Sequence, residues 1–184
     1  VNYIMYWDPF VYDGQRYDFI HLKPKNICVK RKATEFFPEK NIRIFLSYTN
    51  HCFTKHFGCD DALFEDSGRF FCTERYEGSK LLPELIPKLL DDNVDLMLTI
   101  RQHRESFFYL EEYFMGVNYR LFFDISKSNH PASDIRLKVK SAHPEEEWAE
   151  SVGTVGCFSF WRVIDSRLNN EKLAYKAQQR RRRR

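Results

Sequence analysis

Apolar and polar residues alternate over several short stretches of this chain, and a period of two predicts β-strands. The clearest example is the stretch Ile42–Tyr48, in which every second residue is large and apolar. These apolar side chains share one face of the strand, which we expect to be buried. Shorter or less regular strands are predicted at Tyr17–Leu22, Asn26–Lys32, Arg69–Cys72, Asp95–Arg101, Ser106–Tyr113, Asn118–Ile125 and Gly156–Ile164.

A further strand, Ile135–Ser141, alternates its apolar residues with the cations Arg136, Lys138 and Lys140. One face of this strand should therefore be buried and the other cationic. The pattern is also typical of an edge strand that lysines protect from aggregation.

One stretch shows helical spacing. Leucine and isoleucine recur three and four positions apart between Ser79 and Leu90, with Ser79 as the expected N-cap. Pro83 fits the first helical turn, whereas Pro87 removes a backbone donor and should kink or shorten the helix. A second helix is predicted at Asn169–Gln179.

This order of elements predicts an α+β fold with a mostly antiparallel sheet, one main helix in the middle and a C-terminal helix. We expect one globular domain over residues 1–168, with an aromatic N-terminal arm, and a helical, Arg-rich tail over residues 169–184. No stretch is apolar over the length of a membrane span, and no signal peptide is recognisable. We therefore expect a cytoplasmic protein with no membrane partner.

Charge is distributed unevenly along the 184 residues. The net charge is +3, but residues 171–184 alone carry +6, which leaves −3 on the rest. Clustered arginines release counterions from nucleic acid, so the tail predicts nucleic-acid contact through Arg180, Arg181 and Arg182. A solvated tail without a ligand would have the same composition.

The five cysteines form an odd set without short paired spacings. They are Cys28, Cys52, Cys59, Cys72 and Cys157. An odd count without a signal peptide indicates free thiols, which we expect to be mostly buried.

Three segments carry candidate chemistry. His51 follows the strand with the clearest alternation and could transfer a proton near neutral pH. The alternative is a histidine that only caps or stabilises a turn. Arg69 and Arg75 could grip a phosphate, with Tyr76 stacking on a base or donating a proton. Ser141 and His143 end the cationic strand, beyond Arg136 and Lys138.

A zinc site is an open alternative. His51, Cys52, His56, Cys59 and Cys72 fall close together in the sequence, but their spacings do not form paired knuckles. The standard signatures of nucleotide-binding loops, zinc proteases and serine hydrolases are absent from the sequence. We therefore expect no metal and no cofactor.

The segment Tyr119–Asp124, followed by Ile135–Pro144, resembles the barnase/EndoU/colicin/RelE-like superfamily of small ribonucleases, many of them bacterial toxins. The resemblance covers about a third of the chain and includes the helix ahead of the sheet. It implies a site built from Arg136, Lys138, Ser141 and His143, with His51 on the earlier strand. An uncharacterised bacterial family is the other assignment open at this point.

The leading hypothesis is a metal-independent domain that cleaves or processes RNA with histidine acid–base catalysis and arginine or lysine stabilisation of the phosphate. It requires His51 or His143 to share a site with Arg75 or Arg136. The alternative is a non-enzymatic binding module that docks a protein partner, such as an antitoxin or a complex subunit, through its aromatic arm and nucleic acid through its tail.

Overall fold

The computed structural model describes residues 7–33, 35, 38–56, 62–100, 107–145 and 151–174. The strands in these residues are β1 Phe10–Tyr12, β2 Gln15–Tyr17, β3 Lys25–Arg31, β4 Lys40–Tyr48, β5 Thr54–Lys55, β6 Leu63–Phe64, β7 Arg69–Phe71, β8 Asp95–Thr99, β9 Phe108–Phe114, β10 Val117–Lys127, β11 Ile135–Pro144 and β12 Thr154–Ser159. The α-helices are α1 Thr73–Ser79, α2 Leu82–Asp91 and α3 Phe160–Leu168. Short 3-10 helices occupy Ile20–Leu22, Asn50–Cys52 and Glu65–Ser67.

Seven strands form the main sheet, in the order β12-β8-β9-β10-β11-β4-β3. Neighbouring strands are antiparallel except β11 and β4, which run parallel with Leu137 opposite Leu46. The predicted alternation is confirmed in both of these strands, because the apolar residues at every second position are at most 3% exposed. Those residues are Ile42, Ile44, Leu46, Tyr48, Ile135, Leu137 and Val139. The predicted α+β fold with a mostly antiparallel sheet is therefore confirmed.

The three described helices pack against the same face of this sheet. The Arg167 guanidinium of α3 lies over the Phe108 ring, Gly78 of α1 lies against Tyr119, and α2 lines a small apolar cavity together with Ile125. The register of β9 and β10 puts Phe108, Tyr119 and Ile125 on one face. Within the described residues, no helix is long and apolar enough to cross a membrane. The opposite face of the sheet thus lacks a covering helix in the described part of the chain.

The aromatic N-terminal arm packs into the core of its own domain. Trp7 contacts Phe53 edge-on, with ring centroids 4.9 Å apart, and Phe10 lies 5.2 Å from both Phe64 and Phe71. These rings fill the space beside a small three-stranded sheet, β5-β7-β6. The described rings of the arm therefore stabilise the fold, while residues 1–6 lie outside the described residues.

The strand predicted at Tyr17–Leu22 is wrong beyond its first residue. β2 ends at Tyr17, and Ile20–Leu22 forms a 3-10 turn. The Asp18 carboxylate accepts a hydrogen bond from the Ile20 backbone N–H (3.2 Å). This local bond favours a turn over an extended strand.

The predicted central helix corresponds to α2, and Ser79 ends the preceding helix α1 instead of capping α2. The Ser79 hydroxyl donates to the carbonyl oxygen of Tyr76 (2.7 Å), one turn earlier. It therefore accepts the N–H of the His21 imidazole, whose Nε2 lies 2.8 Å away. α1 went unpredicted because its short sequence lacks an apolar period.

Pro87 does not end α2 early, so the shortening that was one predicted outcome is wrong. The helix places Pro83 in its first turn, as predicted, and continues past Pro87 to Asp91. The hydrogen bond that Pro87 cannot donate would have reached the carbonyl oxygen of Pro83. That oxygen accepts from the Lys25 ammonium instead (3.4 Å), which supplies part of the missing stabilisation.

The C-terminal helix of the described residues is α3, and the helix predicted at Asn169–Gln179 does not begin at Asn169. The strand predicted at Gly156–Ile164 ends at Ser159, and the following residues bury one helical face through Phe160, Val163 and Ile164. Asn170 adopts a left-handed backbone conformation (φ 56°) just beyond α3, which ends the helix. Residues 169–174 are not helical, and residues 175–184 lie outside the described residues.

Four of the five cysteines fall within the described residues, and all four are free thiols. Cys52 is buried and Cys72 is half-buried, but Cys28 and Cys157 are exposed. The expectation of mostly buried thiols is therefore wrong for these two. Both lie on strands at the edges of the main sheet, where one strand face meets solvent.

Candidate functional site

β4 leads into the 3-10 turn Asn50–Cys52, which carries His51. Thr49 fixes this turn, because its hydroxyl accepts from the His51 backbone N–H (3.3 Å) and donates to the carbonyl oxygen of Lys140 (2.6 Å). The Thr49 backbone N–H also donates to the carbonyl oxygen of Val139 (3.0 Å). His51 is therefore held beside the middle of β11.

β11 is irregular at the point where this turn meets it. The register against Phe122–Phe123 shifts there, and Lys140 is the extra residue of a β-bulge. Strict alternation from the start of β11 would bury Ser141 and His143. Instead Ala142 is the buried residue (1% exposed), and Ser141 and His143 are half-buried on the opposite face. The bulge thereby puts both on the cationic face of the strand.

Two arginines are anchored next to the His51 turn by one buried threonine. Arg69 Nε donates to Thr54 Oγ1 (2.8 Å), and Arg69 Nη2 donates to the Thr54 carbonyl oxygen (3.2 Å). Arg75 Nη1 donates to the same carbonyl oxygen (2.8 Å). The Thr54 hydroxyl in turn donates to the carbonyl oxygen of Asn50, the first residue of the turn (2.7 Å). Thr54 thus ties both guanidinium groups to the turn that carries His51.

These cations change the proton affinity of His51. Burial, followed by the charges of Arg69, Lys140, Arg75 and His56, lowers the pKa of His51 to about 4. His51 is nevertheless exposed to solvent, so a ligand can reach the imidazole. All the charges that shift it, within the described part of the chain, are positive. His51 is therefore neutral at pH 7 inside a positively charged environment.

We call His51, Arg69, Arg75 and Lys140 the cationic cluster. Sequence analysis selected three of these residues as site residues, and the structure brings those three together. It missed Lys140, although the alternation of cations along Ile135–Ser141 was a signal for it. The pairing of His51 with Arg75, which the nuclease hypothesis requires, is present.

His143 lies farther along β11, in a different environment. Its ring stacks on Phe122, with centroids 6.1 Å apart and an interplanar angle of 19°. Its Nδ1–H donates to the carbonyl oxygen of Pro144 (2.8 Å), since a carbonyl oxygen can only accept. Across the strand pair it faces Arg120, which forms an ion pair with Glu145. Ser141 lies between His143 and the cationic cluster.

Tyr76 is a core residue. It is 5% exposed, and its hydroxyl donates to the carbonyl oxygen of Asp18 (2.8 Å). Its ring packs edge-on against Tyr17 and Phe19, and burial raises its pKa. We therefore assign Tyr76 neither the proton-donating nor the base-stacking role expected from the sequence. The burial could not be anticipated, because α1 was not predicted.

Arg136 and Lys138 extend the positive charge of β11 away from the cationic cluster. Lys138 faces Asp124 on one neighbouring strand and Ser47 on the other. Arg136 precedes Lys140 by four positions along the strand, which corresponds to about 13 Å. Both cations thus flank the cluster without belonging to it. Arg180, Arg181 and Arg182 lie outside the described residues.

A zinc site would require a cluster of ligands, and the described part of the chain contains none. No group of three or more His, Cys, Asp or Glu side chains there is close enough to hold a metal ion. Cys52 is fully buried, its Sγ lies 3.8 Å from the carbonyl oxygen of Val139, and burial raises its pKa to about 12. A thiolate ligand is therefore unfavourable at that position. Cys59 lies outside the described residues.

The side chains of the cationic cluster are suited to an anion that has a hydroxyl group or another proton donor next to it. Arginine and lysine donate several charge-assisted hydrogen bonds to phosphate oxygens. A neutral imidazole beside such an anion can accept a proton, as a general base must. The cationic cluster therefore places positively charged side chains near a group that can take up a proton.

Comparison with known proteins places the chain in a family without adding a relative of known structure. The model of the YjaZ family matches residues 9–168, which include every described residue of the cationic cluster. No curated protein and no solved structure matches the chain. Since the match spans most of the sequence, the chain belongs to the YjaZ family.

Proposed function

We propose that this protein binds RNA at the cationic cluster and cleaves it without a metal ion. The observation that carries the proposal is the convergence of Arg69, Arg75 and Lys140 around a neutral, accessible His51. An RNA phosphodiester is an anion with a hydroxyl group next to it, so it uses both properties of the site.

The cations make binding of a phosphate favourable. Burial, followed by the charge of Arg75, lowers the pKa of Arg69, so the two guanidinium groups oppose each other. A bound phosphate relieves this repulsion and accepts hydrogen bonds from both. The same negative charge raises the pKa of His51 from about 4, toward the range in which a histidine base works at neutral pH.

In the proposed reaction, the His51 imidazole takes the proton of a ribose 2′-hydroxyl. The 2′-oxygen attacks the adjacent phosphorus, and the bond from phosphorus to the 5′-oxygen of the next nucleotide breaks. The products are a 2′,3′-cyclic phosphate and a 5′-hydroxyl, so the step is balanced without an oxidant or a water molecule. Arg75 and Lys140 stabilise the additional negative charge of the pentacovalent phosphate.

The leaving 5′-oxygen needs a proton. His56 is the neighbouring imidazole whose charge acts on His51, so we assign it this role. Tyr76 is unsuited, because its hydroxyl is buried and donates to a backbone carbonyl oxygen. Two imidazoles beside one phosphate satisfy the requirement for a base and an acid.

The test is cleavage of labelled single-stranded RNA in the presence of a chelator. His51→Gln should reduce the rate by about 100-fold or more while RNA binding persists, because acid–base catalysis contributes at least that much. Arg75→Gln should weaken both binding and cleavage. His130→Gln is the matched control, since His130 lies exposed in the loop between β10 and β11. Replacing the ribose at the cleaved position by deoxyribose should block the reaction.

Two results would overturn the proposal: no cleavage by the wild-type protein, or equal cleavage by the wild type and His51→Gln. RNA binding without cleavage would favour the second function considered from the sequence, a non-enzymatic binding module. In that case Arg75→Gln would still weaken binding, and His51→Gln would have little effect.

A further inference from the structure

The strand β12 forms one end of the main sheet and, within the described residues, pairs with a neighbouring strand on one side only. That neighbour is β8, with Phe158 opposite Leu96. α3 follows β12 directly but runs back over the sheet, since Arg167 near its end donates to the carbonyl oxygen of Ile125 on β10 (2.9 Å). The outer side of β12 therefore offers backbone N–H and C=O groups to another chain.

The two edges of the main sheet differ in charge. β3, at the other end, carries Lys25, Lys30 and Arg31, and such cations oppose the pairing of an edge strand with a further strand. β12 has the sequence Thr-Val-Gly-Cys-Phe-Ser, without a charged residue or a proline, and all its residues are at least partly exposed. Val155 is the extra residue of a β-bulge, so regular pairing is confined to the residues after it. β12 thus lacks the charges that protect β3.

The pairing with β8 determines which backbone groups of β12 point outward. The Phe160 backbone N–H donates to the carbonyl oxygen of Val94 (3.0 Å), and Phe158 faces β8 in the same way. Because alternate residues of an antiparallel strand direct their backbone groups to opposite sides, Cys157 and Ser159 direct theirs away from β8. The carbonyl group of Ser159, as the N-cap of α3, already accepts the first hydrogen bond of that helix. The outward groups available for pairing are therefore both groups of Cys157 and the N–H of Ser159.

We propose that β12 pairs with β12 of a second copy of this chain, antiparallel and centred on Cys157, so that the two main sheets join into one. In this register the N–H and C=O groups of the two Cys157 residues bond to each other. Phe158 then lies beside Gly156 of the second copy on the same face, and an aromatic ring next to an edge glycine stabilises a strand pair. A register with Cys157 opposite Ser159 would leave the Cys157 N–H facing a carbonyl group that α3 already uses.

The charges near β12 favour a second copy as the occupant. A strand can pair with itself only if like charges do not face each other, and β12 has none. The exposed Asp95 lies one strand farther in, on β8, and Arg162 of α3 is matched by Glu171 (3.7 Å). A two-fold axis closes this contact, and the cations of β3 oppose the same pairing at the other edge. The assembly should therefore stop at a dimer.

The first experiment is oxidative cross-linking of the full chain. Facing residues of a hydrogen-bonded antiparallel pair have Cα atoms about 5.5 Å apart, which a disulfide can span. Mild oxidation should therefore give a covalent dimer, and peptide mapping should locate the bond between the two Cys157 residues. Cys28 is the matched control, because it is also exposed but lies on the cationic edge. Cys28→Ser should keep the cross-link, and Cys157→Ser should lose it.

The second experiment measures the dimer by analytical ultracentrifugation at protein concentrations up to about 1 mM, because a short contact is expected to be weak. Cys157→Lys and Cys157→Glu should each weaken dimerisation by about fivefold, since each places like charges directly opposite one another. An equimolar mixture of the two variants should recover it. Cys28→Lys should dimerise like the wild type, and thermal unfolding verifies that each variant is folded.

Three results would overturn the proposal. A wild type that is monomeric at every concentration would leave the edge of β12 to solvent or to an extended peptide of another protein. A cross-link through Cys28 in place of Cys157 would put the contact elsewhere. A mixture of the lysine and glutamate variants that dimerises no better than either alone would show that position 157 does not face its own copy.

Discussion

Arg69 and Arg75 donate hydrogen bonds to one and the same acceptor, the carbonyl oxygen of Thr54. Two guanidinium groups that share an acceptor repel each other, and burial, followed by the charge of Arg75, lowers the pKa of Arg69. Thr54 determines the positions of both groups through its hydroxyl and carbonyl oxygens. Here Thr54 is fully buried and also holds the turn that carries His51.

Replacing Thr54 should therefore affect stability and RNA binding together. Thr54→Val removes the oxygen that accepts from Arg69 and donates to Asn50. We expect a loss of about 1–3 kcal/mol in the free energy of unfolding, the usual cost of leaving buried polar groups without a partner. RNA affinity should fall because Arg69 loses one of its two bonds to Thr54.

Denaturant unfolding and RNA titration of the same samples measure both effects. Ser166→Ala is the matched control, because Ser166 is equally buried and donates to the carbonyl oxygen of Val163 in α3. It should lower stability and leave RNA affinity unchanged. An unchanged RNA affinity in Thr54→Val would show that Thr54 does not position the arginines.

The sequence predicted those parts of the fold in which apolar residues recur with a regular period. The alternation in Ile42–Tyr48 and Ile135–Ser141 identified the buried faces of two central strands, because burial on one face of a sheet requires a period of two. It could not predict that Pro87 would be tolerated, since the compensating contact comes from Lys25, which is distant in sequence. It also missed the boundary at Ser159, where an apolar run passes from strand to helix without a turn signal.

The candidate site was predictable only in part, because its geometry also depends on contacts between residues that are distant in sequence. His51, Arg69 and Arg75 were recognised by residue type, but their proximity depends on Thr54, whose role is invisible in the sequence. The bulge at Lys140 inverts the faces of β11, so simple alternation misplaces Ser141 and His143. Tyr76 was chosen for its aromatic ring, and only the packing of α1 shows that this ring is buried.

Gly78 is a position where even one methyl group should destabilise the protein. A Cβ atom there would overlap the hydroxyl group of Tyr119, whose side chain is only 1% exposed and packed in the interior. Overpacking costs about 1–3 kcal/mol, whereas alanine gains up to about 1 kcal/mol over glycine within a helix. Gly78→Ala should therefore lower the free energy of unfolding in a denaturant titration.

The double variant Gly78→Ala/Tyr119→Phe provides the control. Removing the hydroxyl group frees space for the new methyl group, so the double variant should recover part of the loss. If Gly78→Ala were more stable than the wild type, α1 could not pack as closely on β10 as described here.

Acid should destabilise the protein partly through His51. The folded state lowers the pKa of His51 from 6.5 to about 4, so the unfolded chain binds more protons between these two values. The contribution of His51 to stability is therefore present above pH 6.5 and is lost as the pH falls toward 4. Burial lowers the pKa of His21 as well, and it acts in the same direction.

The measurement is the free energy of unfolding between pH 7 and pH 4. His51→Gln should flatten its dependence on pH relative to the wild type. An identical pH dependence in His51→Gln and the wild type would argue against a lowered pKa of His51.

The terminal arginines should add affinity without sequence preference. Residues 171–184 carry +6 against −3 on the rest of the chain, so much of the long-range attraction to RNA originates there. Deleting Arg180–Arg184 should weaken binding to all sequences alike and flatten the slope of log affinity against log salt by up to about 0.7 per lost contact. Affinity measured over a salt series tests this. An unchanged slope would mean that the tail does not touch the nucleic acid.

The most direct test of the cationic cluster is an NMR titration of the His51 imidazole, with and without a 2′-O-methyl oligoribonucleotide. In the free protein its pKa should be about 4, because burial and the neighbouring cations oppose protonation. When the phosphates of the oligonucleotide bind among Arg69, Arg75 and Lys140, the pKa of His51 should rise. An ordinary pKa near 6.5 in the free protein, or a lowered pKa that does not change while the oligonucleotide binds, would contradict the assignment of this cluster as the RNA site.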